Sequence, residues 1–168
     1  MLQKNYFKGW YFKCINDDHT IAFIPAFHRS NQEETASLQI ITNSSAFNIY
    51  FDSLKFQDKQ LSVKIGENQF SEKGININIY TKDIIQGNLN FSHLSPIKYD
   101  IMGPFQFIPF MQCRHSVYSM RHRIDGQINV NGQLLIFKNS MGYIEGDCGR
   151  SFPNRYIWTQ CHFSNGSL

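Results

Sequence analysis

Ile124-Asp125-Gly126-Gln127-Ile128-Asn129-Val130-Asn131-Gly132-Gln133-Leu134-Leu135-Ile136-Phe137 reads as two strands and the turn that joins them. Ile124, Ile128 and Val130 alternate with polar residues, the period of a half-buried strand. Asn131-Gly132 suits a type I′ turn, whose two central residues need positive φ, and Leu134 to Phe137 runs back. Working outward, Gly74 to Tyr80 places Ile75, Ile77 and Ile79 on one side and Asn76, Asn78 and Tyr80 on the other. Such alternation marks an antiparallel strand with one face buried. Ile84 to Phe91 follows it. Upstream, Trp10 to Ile15 and Thr20 to Ala26 flank the polar loop Asn16-Asp17-Asp18-His19, and Ser37 to Thr42 and Phe47 to Phe51 flank Asn43-Ser44-Ser45. No stretch sustains an apolar period of 3.6 residues, and only Cys113 to Met120 is ambiguous enough to read as a short helix. Nine or ten short strands with hairpin connections predict an all-β fold, an antiparallel barrel or sandwich.

Composition bounds the function classes. Hydrophobic residues make up 42% of the 168 and charged residues 17%, a globular balance. Fifteen Phe and eight Tyr suit strands and the lining of an apolar space. The net charge of +3 is scattered, with only Arg121-His122-Arg123 clustered, which argues against nucleic acid as a partner. Cys14, Cys113, Cys148 and Cys161 have neither zinc nor C-x-x-C spacing and read as free thiols. The N-terminus lacks the apolar run of a signal peptide, and Ile101 to Cys113, interrupted by Pro104 and Pro109, is too short to span a bilayer. The expectation is a cytoplasmic protein, with room for a peripheral membrane contact.

Three segments hold more unusual side chains than a plain β core requires. In Phe7-Lys8-Gly9-Trp10-Tyr11-Phe12-Lys13, Trp10 and Phe12 share one face and Tyr11 and Lys13 the other. Ile101 to Cys113 is too apolar for an ordinary exposed loop and too proline-rich for a central strand, so it reads either as a greasy lid on the barrel or as core. In Gly142 to Pro153, an extended chain projects Tyr143, Glu145 and Asp147 to one face. Two acids and a phenol make a poor dry core. They fit a polar cluster on a cavity wall, or a structural ion pair of Asp147 with Arg150 that locks the loop. Tyr156 to Phe163, read as a strand, aligns Trp158, Gln160 and His162.

Taken together, Phe7 to Lys13 (FKGWYFK), Ile101 to His122 (IMGPFQFIPFMQCRHSVYSMRH) and Gly142 to Gln160 (GYIEGDCGRSFPNRYIWTQ) resemble, in order, the pattern of the tocopherol cyclase family. The resemblance implies tandem lipocalin-like β domains related to carotenoid hydratase-type proteins. Residues 1–163 would be the first domain and residues 164–168 the start of the crossing to a second, missing one. The final strand would then end as an unpaired edge. The resemblance departs at Cys148, where relatives carry Trp before Gly149-Arg150.

The implied activity is an isomerase reaction, the cyclisation of a prenylated hydroquinone to a chromanol by protonation of its alkene, without metal or redox cofactor. Reaction logic laid on the matching positions makes Glu145 the acid and gives His115 or His122 the phenol proton. Trp10, Tyr11, Tyr143, Trp158 and Gln160 would contact the substrate. The competing expectation is a carrier that binds an isoprenoid or other hydrophobic small molecule in its barrel and does no chemistry. A convergent acid beside the ligand space would distinguish the enzyme from the carrier.

Overall fold

Apolar side chains at every second position give each strand one face that must leave water, and a sheet curled on itself satisfies all of them at once. A computed structural model, describing residues 5–31, 33–57, 60–109, 111–152, 154–163 and 166–167, shows that solution. The strands are β1 (Asn5–Ile15), β2 (Thr20–Ser30), β3 (Glu33–Thr42), β4 (Ala46–Phe51), β5 (Leu54–Gln57), β6 (Ser62–Ile65) and β7 (Asn68–Ser71). Then come β8 (Gly74–Tyr80), β9 (Ile84–Phe91), β10 (Cys113–Val130), β11 (Gln133–Gly149), β12 (His162–Phe163) and β13 (Gly166–Ser167). Eleven of them form one antiparallel sheet in the order β4-β3-β2-β1-β11-β10-β9-β8-β7-β6-β5, and β12 and β13 pair separately.

The sheet curls into a nearly closed, lipocalin-like barrel whose seam lies between its two end strands, β4 and β5. Rings from opposite walls meet inside. Phe70 of β7 lies 5.4 Å from Phe12 and 5.9 Å from Phe23, and Phe56 of β5 lies 5.5 Å from Trp10 and 6.2 Å from Phe27. Phe12, Phe23, Phe70 and Phe137 are fully buried, so side chains fill the interior. Gly74 to Tyr80 forms its strand with all three isoleucines inside. Asn131 and Gly132 take φ of 50° and 90° at the hairpin tip, as a type I′ turn demands.

Three expectations need correction. Cys113 to Met120 is not a helix but the first part of β10, an 18-residue strand. Register shifts at Val117/Ser119 and Ser119/His122 break its alternation, and these bulges explain the ambiguous pattern. The last long strand, β11, pairs with β1 on one side and β10 on the other, and the end strands of the large sheet are β4 and β5. Tyr156 to Phe163 joins a strand only at His162–Phe163. Among its described residues Ile101 to Cys113 supplies no core: its 3₁₀ helix, Gly103–Phe107, with Pro104 in the first turn, buries no residue. Phe110 lies outside the described residues. Among the described residues no helix is long and apolar enough to cross a membrane.

Candidate functional site

Alternation along β11 sends Ile144 into the core and Tyr143, Glu145 and Asp147 to the opposite, outer face. Their register neighbours are Lys13, Tyr11 and Gly9 on β1, with Val117 and His115 on β10 opposite Glu145 and Asp147. The cluster therefore sits on the outside of the barrel wall, not in the barrel's lumen. Residues 154–163 cross this face as an arm and exclude most of the water. Trp158 packs edge-on against Tyr11 at 5.7 Å and Tyr143 at 6.5 Å, and Gln160 Oε1 accepts from Lys13 Nζ at 2.9 Å. Trp158 and Gln160 thus face the sheet together, as alternation predicts, although this stretch pairs with no strand. The side chain of His162 lies outside the described residues.

Glu145, only 6% exposed, is the centre of the arrangement. Its Oε2 accepts from Tyr143 Oη at 2.6 Å and Trp158 Nε1 at 2.9 Å, and His115 Nε2 stands 3.6 Å away. Oε1 takes part in none of these contacts. The other nitrogen of the same imidazole, Nδ1, is 2.9 Å from Asp147 Oδ1. The hydrogen bond to Asp147 raises the His115 pKa above its ordinary value; burial opposes the rise, and the charges of Asp147 and Glu145 add to it. Burial foremost, then the bond and charge of Glu145, push the Tyr143 phenol well up, so it donates as a neutral hydroxyl. Tyr11 is raised by burial and by the charge of Glu145. Burial, with Asp147 nearby, lifts the Cys113 thiol to about 11. The imidazole of His115 is thus hydrogen-bonded to Asp147 and within ion-pair distance of Glu145.

A groove of about 320 Å³ runs over the outer face of β1 to β4 and reaches Asp147, with Phe7, Tyr11, Ile24, His28 and Phe152 among its walls. It offers a flat ligand apolar contact at one end and the carboxylate–imidazole pair at the other. A second, larger cavity of about 590 Å³ opens at one end of the barrel between Leu61, Phe91, Leu94 and Tyr118. Among the described residues no group of three or more His, Cys, Asp and Glu is placed to hold a metal ion.

The sequence candidates divide between the two faces of the wall. Glu145, His115, Tyr143, Asp147, Tyr11, Trp158 and Gln160 come together outside. Trp10 points inward onto Phe56. His122 also points inward, with Nδ1 3.0 Å from Ser119 Oγ and its ring 4.5 Å from Phe91; a side chain at its register partner Gly142 would run into the imidazole. Asp147 Oδ1 meets His115 Nδ1 at 2.9 Å and Cys113 Sγ at 3.8 Å, and Arg150 donates its backbone N–H to Gln112 O at 2.9 Å. Sequence reading missed Met102, whose Sδ accepts the backbone N–H of His115 at 3.4 Å. It also missed the Asp147–His115 pairing, since 32 residues separate the two and no local spacing brings them together.

No protein-family model matches the chain, and no curated protein does. The case for function therefore stands on the residues and their geometry.

Proposed function

We propose that the chain is a tocopherol cyclase-type protein, in which the Glu145 cluster protonates the alkene of a prenylated hydroquinone bound in the outer groove. The observation that carries this reading is the convergence of Tyr143, Trp158 and His115 on one oxygen of a buried carboxylate beside a partly apolar groove. Enclosed carboxyls with an adjacent proton source are suited to general acid work. Glu145, a carboxylate at rest, takes up a proton from the His115 imidazolium, gives it to the alkene carbon and returns to carboxylate. The phenol oxygen closes on the tertiary cation, forming the ring C–O bond, and its proton goes back to His115. Atoms balance without an oxidant or reductant. An aromatic face turned to the cation stabilises it by about 0.5–2 kcal/mol, and Tyr11 is the ring that both lines the groove and neighbours Glu145. Trp10 is among the residues lining the groove, although its ring packs inward onto Phe56.

A second reading, a carrier without chemistry, draws on the barrel-end cavity of about 590 Å³. The packed lumen speaks against a ligand deeper in the barrel. Incubating the protein with a prenylated hydroquinone and following chromanol by chromatography separates the two. Wild type should form chromanol, and Glu145→Gln should lose about 10²–10⁴-fold in rate while melting at a similar temperature. Full activity in Glu145→Gln places the acid elsewhere. Binding without turnover by wild type leaves the carrier.

A further inference from the structure

Residues 1–91 carry nine basic and nine acidic side chains and residues 92–168 seven and four, so the whole net charge of +3 belongs to the second stretch. Two of those four acids, Glu145 and Asp147, are drawn into the cluster under the arm, and a third, Asp100, is paired with Arg114 at 2.8 Å. Lys98 and Arg155 are exposed on the same stretch. Arg114 is taken up by Asp100, and Lys98 and Arg155 are the exposed cations next in sequence to the apolar residues 101–108 and 156–157.

The same stretch carries an unusual apolar display. Ile101, Phe105, Phe107 and Ile108 all stand in solvent, Phe107 at 80% exposure, around the 3₁₀ helix that buries nothing. The base of this loop is tied down, by Met102 Sδ to the His115 amide, by Asp100 Oδ1 accepting from Met102 N at 2.9 Å, and by the Asp100–Arg114 pair. The rings therefore protrude from a fixed platform. Beyond the loop's far end, Gln112 Nε2 donates to Ser151 Oγ at 2.6 Å, a short way before the arm begins. The arm adds Tyr156 and Ile157, the latter 94% exposed. Exposed rings and aliphatic side chains beside exposed cations suit an interfacial contact.

We propose that the loop of residues 98–108, with the adjoining arm, docks this protein on an anionic lipid bilayer. Phe105, Phe107 and Ile108 would sink to the boundary between headgroups and acyl chains, and Lys98 and Arg155 would lie among the phosphates. Aromatic rings at that depth and cations just above it are the pairing that interfacial attachment requires. The proposal is independent of the chemistry assigned to Glu145, so loss of turnover leaves it standing.

The test is co-sedimentation of the whole chain with vesicles of phosphatidylcholine mixed with phosphatidylserine, and with vesicles of phosphatidylcholine alone. Wild type should pellet with the mixed vesicles, more weakly with the neutral ones, and less as salt is raised. Each phenyl ring replaced, in Phe105→Ser and Phe107→Ser, should weaken partitioning about tenfold or more. Each charge reversed, in Lys98→Glu or Arg155→Glu, should cost about fivefold or more on the mixed vesicles only. Unchanged thermal unfolding of the Phe variants verifies that folding is intact, since neither ring is buried. Absence of wild-type binding to mixed vesicles overturns the proposal, as does equal binding by the Phe105→Ser/Phe107→Ser protein. It is also overturned if sedimentation velocity shows that those rings hold two copies together and vesicles do not compete.

Discussion

The two faces of β11 make opposite use of the same alternation. Inward, Phe137 and Ile144 join rings from β1, β2 and β7 in a dry core where every contact is dispersion and buried area. Outward, Tyr143, Glu145 and Asp147 would be an ordinary solvated face had the arm of residues 154–163 not crossed them. The difference teaches that the core is what the barrel builds, whereas the site is made by a cover. A carboxylate on an open sheet face is surrounded by water. Under an indole it must be satisfied by Tyr143, Trp158 and His115.

That contrast can be broken from the inside first. Phe12→Ala removes a fully buried ring that touches Phe70 across the lumen and should cost about 3–5 kcal/mol, measured by urea denaturation. A loss below about 1 kcal/mol would mean that the walls do not share one core.

On the outer face the expected effects are smaller and depend on pH. His115 has a folded-state pKa raised above its ordinary 6.5, chiefly by its bond to Asp147. Its contribution to stability is thus fully present below 6.5 and is lost as pH rises through the raised value. Asp147→Asn should destabilise by about 1–3 kcal/mol in mildly acidic buffer, and the gap from wild type should narrow as pH rises. Melting curves across that window decide it; a gap that widens with pH would show that the imidazole is held neutral.

Smallest of all is Lys13→Met, which removes the amine from Gln160 at the rim of the arm. Hydrogen bonds at half-exposed sites contribute about 1 kcal/mol or less, so the melting temperature should hardly move. Limited proteolysis within residues 154–163 should quicken slightly. A large loss of stability would instead make the arm part of the folding core.

Much of this organisation was legible in the residues. Ile75, Ile77 and Ile79 declare one buried face, Asn131-Gly132 declares the turn, and Trp10-Phe12 against Tyr11-Lys13 declares the two sides of β1. Alternation also grouped Tyr143, Glu145 and Asp147 correctly. It could not say which side was outside, because a polar trio reads alike on a lumen wall and under a cover. The bulges at Val117/Ser119 and Ser119/His122 hid β10 for a related reason: a register shift scrambles the period by which a strand is recognised.

The sequence by itself determined the strand pattern, the hairpin at Asn131-Gly132 and the common face of the three polar residues of β11, since these follow from side-chain period and local φ preference. Only the tertiary structure decided that His115 rather than His122 meets Asp147 and Glu145, and that Trp158 closes over them. Those contacts depend on the register between β10 and β11 and on the path of an arm that pairs with no strand over residues 154–161. Register is set by the sum of packing along whole strands, and no local run of residues contains that sum.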